Sequence, residues 1–219
     1  MEYDIDSYKP GKIICVGMNY MSHIKEQDGR FPDQPVLFCK ANSCVIKNGD
    51  NIIYPDGVNE LDYEVELAVV IGKSMKNVKP ADVINYIYGY SVINDVTARD
   101  LQSKEGQWFR AKSFDTFGPV GPKIISKDKI KDPQNLNLKS FVNGELRQDS
   151  NTSGMIFNIY DLISFISFSM SLEPGDLIAT GTPAGVGLFM KTRSLLKPGD
   201  EIICEIENIG RLVNKVARM

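Results

Sequence analysis

Short apolar segments that end in glycine, proline, asparagine or aspartate recur along this chain, whereas helical patterns are few. Segments of this kind are typical of β-strands. They do not alternate regularly with helices, which argues against a doubly wound nucleotide-binding fold. Neither G-x-G-x-x-G after a strand nor G-x-x-x-x-G-K-[ST] occurs in the sequence. The pattern therefore predicts an α+β fold, predominantly β, with an antiparallel or mixed sheet.

Two turn signals place hairpins in this fold. Asn143-Gly144 favours a type I′ turn, and the segment Asn208-Ile209-Gly210 predicts a second hairpin near the end of the chain. The predicted strands are Ile13–Gly17, Val36–Lys40, 61–72, Ile87–Asn94, 136–142, 145–148, 176–180, 201–207 and 211–217. The predicted helices are 80–86, 96–105 and 158–170.

Composition restricts the partners that this chain would bind. Among 219 residues, 25 Lys and Arg against 28 Asp and Glu give a formal net charge of −3. That balance gives no electrostatic reason to expect nucleic acid or an anionic membrane as partner. Because 42% of the residues are hydrophobic and no low-complexity run divides them, we expect one domain over residues 1–219.

His23 is the only histidine, and no C-x-x-C pair occurs. The cysteines stand apart, at Cys15, Cys39, Cys44 and Cys204. Zinc sites need several nitrogen or sulfur ligands, so a metal in this chain would be held by oxygen. Unpatterned cysteines, an acidic segment at 1–6 and an interrupted apolar segment at 156–172 predict a cytoplasmic protein with no membrane span.

Three carboxylates suggest such a site. Glu64 and Glu66 are two residues apart in a predicted strand, so they share a face about 7 Å apart, where their charges repel. An ordinary solvated strand face would explain this pair alone. Asp95, however, ends the neighbouring apolar strand, and three carboxylates that meet at one point form an oxygen-only site suited to Mg²⁺ or Mn²⁺.

Five segments, in this order, carry a family resemblance. They are Gly17-Met18-Asn19-Tyr20-Met21-Ser22-His23-Ile24-Lys25-Glu26, Asp62-Tyr63-Glu64-Val65-Glu66-Leu67, Asn94-Asp95-Val96-Thr97-Ala98-Arg99-Asp100-Leu101-Gln102, Trp108-Phe109-Arg110-Ala111-Lys112-Ser113-Phe114-Asp115 and Ala179-Thr180-Gly181-Thr182-Pro183-Ala184-Gly185-Val186-Gly187. The chain resembles the fumarylacetoacetate hydrolase family from about residue 12 onward, most closely its short single-domain members that act on acylpyruvates or oxaloacetate.

The resemblance implies the fold and the ligands of the site. It implies the mixed β-sheet fold of that family's C-terminal catalytic domain, assembled as a homodimer. It also implies that Glu64, Glu66 and Asp95 hold Mg²⁺ or Mn²⁺, and that a small substrate chelates the metal through a 2-oxo-carboxylate group.

The same resemblance assigns catalytic roles to three residues. Lys112 would place its ammonium near the metal and the substrate oxygens, although a lysine alone is more often solvated. His23 and Glu26, three apart on a predicted short helix, would form a dyad in which Glu26 orients the ring and His23 moves a proton. A single histidine is otherwise more often structural.

Substrate-binding residues follow in the same way. Arg99 and Gln102 lie on one face of a predicted helix and would orient the far end of the substrate. Thr182 and the N–H of Gly181 would bind its carboxylate, unless this segment is a plain glycine-rich turn. Residues 25–34 are expected to act as a lid.

We expect hydrolysis of the C–C bond of short acylpyruvates, giving pyruvate and a carboxylate. Oxaloacetate decarboxylation or tautomerisation, and isomerisation or decarboxylation of 2-hydroxyhepta-2,4-diene-1,7-dioate, would use the same site. A catalytically inactive binding module is the non-enzymatic alternative. Phosphoryl transfer is disfavoured because no phosphate-binding loop accompanies the carboxylates.

Overall fold

Apolar segments form fourteen strands within residues 4–218, the part of the chain that this computed structural model describes. In chain order the strands are β1 (Ile13–Gly17), β2 (Val36–Lys40), β3 (Val45–Ile46), β4 (Asn51–Ile53), β5 (Leu61–Asp62), β6 (Val65–Ile71), β7 (Ile87–Asn94), β8 (Thr97–Ala98), β9 (Gly118–Ser126), β10 (Asn137–Val142), β11 (Glu145–Asn151), β12 (Leu177–Ala179), β13 (Glu201–Ile206) and β14 (Gly210–Ala217). The helices are α1 (Met21–Glu26), α2 (Arg99–Lys104), α3 (Phe109–Lys112) and α4 (Ile159–Ser169), with 3₁₀ turns at Asn42–Cys44, Pro80–Asn85, Lys127–Lys129 and Thr152–Gly154.

The strands are arranged in two large sheets and one small one. The seven-stranded sheet has the order β2-β1-β12-β6-β7-β9-β3, the five-stranded sheet has the order β11-β10-β13-β14-β4, and β5 pairs with β8. The pair β1–β12 is parallel, while the pairs β12–β6 and β6–β7 are antiparallel. The predicted mixed, predominantly β fold is confirmed.

The core lies between the two large sheets. All seven residues of β6 are buried, as expected of a strand covered on both faces. Strands β10 and β13 instead alternate buried with more accessible residues, because only one face of their sheet packs on the core. Contacts of β10 and β13 with β6 and of β14 with β9 bring the sheets together.

The hairpin predicted at Asn143-Gly144 is present between β10 and β11. Both turn residues have positive φ, 52° and 80°, as a type I′ turn requires. The helix predicted at 158–170 is α4, and the side chain of Asn158 caps its first turn by accepting from the N–H groups of Tyr160 and Asp161.

The strand predicted over 61–72 is interrupted, and the reason lies in side-chain hydrogen bonds. The N–H of Tyr63 donates to the carboxylate of Asp62, and the N–H of Glu64 donates to the side-chain oxygen of Asn94. These bonds replace the partners that a continuous ladder would supply, so β5 and β6 are separate strands.

Two helix predictions need correction. The segment 96–105 begins with β8, which pairs with β5, and only Arg99–Lys104 is helical. The segment 80–86 forms a 3₁₀ turn over Pro80–Asn85 rather than an α-helix. In the first case, pairing with β5 sets the local structure more strongly than helix propensity does.

Strand β9 was not predicted. Its first five residues, Gly118-Pro119-Val120-Gly121-Pro122, have the composition of a turn. It nevertheless pairs with β7 along most of its length and with β3 at its start. Pairing with β7 therefore outweighs a composition that disfavours a strand.

The remaining sequence-based expectations concern organisation. None of the helices within residues 4–218 combines the length and apolarity that a membrane span requires. Residues 1–3 of the acidic N-terminal segment lie outside the described part. A single domain over 1–219, a homodimer, a cytoplasmic location and the lid at 25–34 stay predictions.

Candidate metal centre and active-site cavity

The register of β6 against β7 brings three carboxylates together. Val65 pairs with Asn94, so the start of β6 lies beside the end of β7. Glu64 therefore lies next to Asp95, and the N–H of Asp95 donates to the carbonyl of Glu64 at 2.9 Å. Glu64, Glu66 and Asp95 are all buried, and one oxygen of each lies within 4.8 Å of the others.

Strand β12 closes the site from the other side of β6. Just beyond β12, the N–H of Gly181 donates to Oε2 of Glu66 at 2.8 Å. Gly181 has φ of +97°, and a Cβ there would lie 2.8 Å from the Cβ of Asn19. Glycine is therefore needed for this backbone N–H to reach Glu66.

Three buried cations surround the carboxylates. Lys112 Nζ lies 2.7 Å from both Glu64 Oε2 and Asp95 Oδ2, and Lys40 Nζ lies 2.6 Å from Asp95 Oδ1. Arg99 Nη2 lies 2.7 Å from Glu64 Oε1. The side chain of Arg99 also donates to Asp62 through Nε at 2.9 Å. Glu64, Asp95 and Asp62 are thus paired with cations, as a low-dielectric interior requires.

These cations change the acidity of Glu64. Burial alone would raise the pKa of this carboxyl, but Lys112 and Arg99 outweigh burial and lower its pKa to about 2. Reciprocally, burial alone would lower the pKa of the Lys112 ammonium, whereas Asp95 and Glu64 raise it above the ordinary lysine value. Glu64 is therefore ionised and Lys112 is protonated at neutral pH.

Glu66 behaves in the opposite way. Burial, followed by the charges of Asp95 and Glu64, raises the pKa of Glu66 well above its ordinary value. The four carboxylates of the site, with Asp62 as the fourth, exceed the three cations by one charge. A divalent cation would remove this excess and let Glu66 ionise. The donor set is entirely carboxylate oxygen, which fits Mg²⁺ or Mn²⁺.

The histidine lies on α1 together with its carboxylate partner. His23 is 6% exposed, and its Nδ1 lies 2.6 Å from Oε1 of Glu26. The other oxygen of Glu26 accepts from the N–H of Gly185 at 2.9 Å. This anchored carboxylate favours the ring tautomer with the hydrogen on Nδ1, which leaves the lone pair on Nε2. The predicted dyad geometry is therefore present.

A cavity of about 260 Å³ joins these groups. Its lining includes every predicted site residue except Glu26, Asp95 and Gly181. The lining residues are Val16, Gly17, Met18, His23, Gln27, Phe38, Glu64, Glu66, Arg99, Gln102, Ser103, Trp108, Lys112, Thr182, Leu188 and Phe189. The lining thus combines charged side chains with aromatic and aliphatic ones.

Arg99 and Gln102 meet on one face of α2, as predicted. Arg99 Nη1 donates to Oε1 of Gln102 at 2.9 Å, which turns the amide nitrogen of Gln102 away from the guanidinium. Because Arg99 also holds Glu64 and Asp62, its guanidinium contacts the metal-binding cluster as well as the cavity. Its predicted role at the far end of the substrate stays a prediction.

Thr182 and Gly181 have protein partners in this structure. The hydroxyl of Thr182 donates to the carbonyl of Val65 at 3.0 Å and accepts from the amide of Gln148 at 2.7 Å. The N–H of Gly181 is used by Glu66. A substrate carboxylate at Gly181 would have to compete with that bond, whereas Thr182 keeps an oxygen lone pair at the cavity wall.

Sequence reasoning missed three polar residues of this region. Lys40 ends an apolar strand and was not distinguished from a surface lysine. Asp62 accepts from the N–H groups of Gly187 and Leu188 and pairs with Arg99. Gln27 follows Glu26 and contacts His23. For Gln27 a signal existed, because residues four apart on a helix share a face; for Lys40 and Asp62 none did.

Comparison with known proteins gives one family. Residues 12–217 match the family described as fumarylacetoacetate (FAA) hydrolase C-terminal. Oxaloacetate tautomerase Fahd2a, mitochondrial, of Rattus norvegicus is 49% identical over 95% of this chain and 67% of the rat protein. Related proteins thus include enzymes, and some of them are named mitochondrial.

Solved structures agree with this similarity. The 2-hydroxyhepta-2,4-diene-1,7-dioate isomerase of Mycobacterium marinum is 41% identical, with a TM-score of 0.86 over 96% of this chain and 76% of its own. The fumarylacetoacetate hydrolase of psychrophilic Exiguobacterium antarcticum is 45% identical, with a TM-score of 0.90 over 97% of this chain and 77% of its own.

Proposed function

The chain belongs to the fumarylacetoacetate hydrolase family, and from that premise we propose that it is a divalent-metal-dependent tautomerase of a small 2-oxo dicarboxylate, with oxaloacetate as the first candidate. The observation that carries the proposal is one small cavity lined both by Glu64 and Glu66 of the buried carboxylate cluster and by a carboxylate-oriented histidine. Keto–enol exchange needs these two components.

Two of the three relatives named above favour this reaction, whereas the Exiguobacterium antarcticum protein is named a hydrolase. Oxaloacetate tautomerase and 2-hydroxyhepta-2,4-diene-1,7-dioate isomerase both denote relocation of a proton in a dicarboxylic acid that carries oxygen at C2. Acylpyruvate hydrolysis, the main expectation from sequence, would use the same cavity but also needs an attacking water. It stays an untested prediction, and the tautomerase reading supersedes it here.

Glu64, Glu66 and Asp95 would hold Mg²⁺ or Mn²⁺. When bound, the cation would polarise the 2-oxo group and make the C3 hydrogen more acidic. Lys112, fixed between Glu64 and Asp95, keeps a protonated ammonium at the cavity wall. Its charge offsets that of the carboxylates and stabilises negative charge that develops on the substrate.

His23 is the group that moves the proton. Its Nε2 lone pair takes the hydrogen from C3, and the electron pair of that bond forms the C2–C3 double bond. The carbonyl pair moves onto O2, which takes a proton from water, and His23 returns its own proton to solvent. Ketonisation of the enol is the reverse. Glu26 stabilises the imidazolium that forms in between.

Cavity size favours a short substrate. About 260 Å³ lies below the roughly 300–1,000 Å³ typical of sites for drug-sized ligands. A four-carbon acid therefore suits the cavity better than a seven-carbon diacid. Leu188, Phe189 and Trp108 form the apolar part of the wall and exclude water from the reacting carbons.

The experiment follows ketonisation of freshly dissolved enol-oxaloacetate by the loss of ultraviolet absorbance of the enol. We expect the protein to accelerate this decay with Mg²⁺ or Mn²⁺, to lose activity with a chelator and to regain it when metal is restored. His23→Ala should lower the rate on the order of 10²–10⁴-fold. Full activity after metal removal would refute the proposal.

Two controls separate the competing reactions. Pyruvate release from acetylpyruvate reports hydrolysis, and pyruvate release from oxaloacetate reports decarboxylation. Glu205→Gln removes a carboxylate that pairs with Arg211 on the surface and should keep full activity, unlike Glu66→Gln. Rapid pyruvate release from acetylpyruvate without tautomerisation would favour the hydrolase instead.

A further inference from the structure

The side chain of Gln27 lies directly on the nitrogen of His23 that the proposed reaction uses. Gln27 Nε2 lies 2.7 Å from His23 Nε2. Gln27 is the C-terminal cap of α1, four residues after His23, and its backbone N–H bonds to the carbonyl of Ile24 at 3.2 Å. The amide therefore reaches back along one helix face to the ring.

This contact occupies the base. With the Nδ1 hydrogen directed at Glu26, His23 has one lone pair, on Nε2, and that lone pair accepts the hydrogen bond from the Gln27 amide. His23 can take a proton from a substrate only after this hydrogen bond breaks. The resting site is thus capped, and substrate binding must release the amide of Gln27.

Gln27 lines the cavity, and a dicarboxylate bound there needs a second binding position. The nearby cations are already used, since Lys112 bonds to Glu64 and Asp95, and Arg99 bonds to Glu64 and Asp62. Gln27 also lines the cavity, and its amide contacts His23 rather than these ion pairs. An amide N–H is a suitable donor to a carboxylate oxygen.

We propose that Gln27 is a specificity-determining residue whose amide caps His23 Nε2 in the free protein and transfers to the distal carboxylate of the bound substrate. This inference rests on the proposed function for the identity of the substrate class. In this proposal, Gln27 releases Nε2 of His23 only when the ligand has a second carboxylate. A 2-oxo acid without one leaves the hydrogen bond from Gln27 to His23 in place.

Nuclear magnetic resonance tests the resting contact. Because His23 is the only histidine, its two ring nitrogens give the only imidazole signals in the ¹⁵N spectrum. In the free protein loaded with Mg²⁺, we expect Nε2 to resonate as a hydrogen-bonded acceptor. Gln27→Met should move it towards the position of an unbonded nitrogen. An unchanged Nε2 signal in this variant would overturn the proposal.

Ligand binding tests the transfer without depending on turnover. Malate and 2-hydroxybutanoate both chelate through a 2-hydroxy-carboxylate and differ at C4, carboxylate against methyl. Calorimetry should show that Gln27→Met weakens malate on the order of tenfold or more and leaves 2-hydroxybutanoate unchanged. Saturating malate should move the Nε2 signal of the parent protein in the same direction as Gln27→Met does, and 2-hydroxybutanoate should leave it unchanged.

The exposed Gln107→Met is the matched control and should change neither affinity. Equal weakening of both ligands by Gln27→Met, or failure of the loaded parent protein to bind malate, overturns the inference. Malate binding with these responses but without oxaloacetate turnover would support the role of Gln27 and refute the tautomerase proposal. The two failures are therefore distinguishable.

Discussion

Replacing Lys40 with methionine should destabilise the protein far more without metal than with it. Lys40 Nζ lies 2.6 Å from Oδ1 of Asp95, and both side chains are fully buried. Methionine keeps most of the length of the side chain and removes the charge. Asp95 then retains Lys112 as its remaining cationic partner in the described structure.

The magnitude follows from distance and burial. With an effective dielectric constant of about 20, two unit charges at this separation attract by about 6 kcal/mol. The desolvation of Lys40 offsets part of this, and loss of one partner from a buried pair costs about 3–5 kcal/mol. A divalent cation at Asp95 would replace the lost positive charge, so the metal-loaded variant should lose less.

Urea unfolding of metal-free and Mn²⁺-loaded protein measures both costs. The substitution should lower the free energy of unfolding less in the metal-loaded protein than in the metal-free protein. By thermodynamic linkage, each difference of about 1.4 kcal/mol between these two losses corresponds to about tenfold tighter metal binding by Lys40→Met. Metal titration of the variant provides the same quantity independently. The combination of effects is unusual, because the substitution destabilises the fold and strengthens metal binding.

Lys12→Met is the matched control. Lys12 Nζ also lies 2.6 Å from a carboxylate, that of Asp176, but its side chain is 40% exposed. The Lys12 ammonium is screened by solvent, and the buried carboxylate of Asp176 keeps the N–H groups of Lys12 and Glu173 as donors. This variant should therefore lose only about 0–1 kcal/mol and should bind metal normally. Equal destabilisation of Lys40→Met with and without metal would refute the reasoning, because Asp95 would then not contact the cation.

Three further predictions concern other parts of the molecule. Because Glu66 has a raised pKa in the folded state, its ionisation lowers the stability of the metal-free protein. As pH rises above the ordinary pKa of about 4.5, the free energy of unfolding should therefore fall in the parent protein relative to Glu66→Gln. Urea unfolding at a series of pH values measures this difference, and parallel curves for the two proteins would contradict the prediction. Asp62→Asn should lower the free energy of unfolding by about 3 kcal/mol in chemical denaturation, because Arg99 loses a buried partner. The same variant should bind metal more weakly in a titration, because Arg99 also contacts Glu64. Gly144→Ala should cost about 1 kcal/mol in thermal unfolding, since φ is 80° with open space around it, while activity stays unchanged.

Sequence patterns predicted most of the longer strands from apolar runs that end at clear turns, but missed the short strands β3 and β4. The Asn143-Gly144 hairpin and α4 follow from local chemistry, since a type I′ turn and an asparagine cap are encoded in a few adjacent residues. Strand β9 could not be predicted in this way. Its glycines and prolines indicate a turn, and only pairing with β7 makes the segment extended.

The candidate site likewise contains residues that local sequence patterns predict and residues that only tertiary contacts bring together. Glu64, Glu66 and Asp95 could be grouped from sequence because strand periodicity and the end of a strand restrict where they point. Lys40 could not, because it lies on β2, the edge strand of the sheet, and meets Asp95, 55 positions away, only in the folded chain. The interruption at Tyr63-Glu64 depends likewise on the side chain of Asn94, thirty positions away.

The parallel pairing of β1 with β12 has a consequence for synthesis of the chain. The N–H of Lys12 bonds to Asp176 across 164 positions. At roughly 5–20 residues per second on the ribosome, the partner of β1 emerges on the order of ten to thirty seconds after β1 itself. During that interval one edge of β1 is unpaired and can template aggregation. Its antiparallel neighbour β2, made about twenty residues later, protects the other edge first. The β1–β2 pair is therefore available first during synthesis, and the sheet is complete only when β12 lies between β1 and β6.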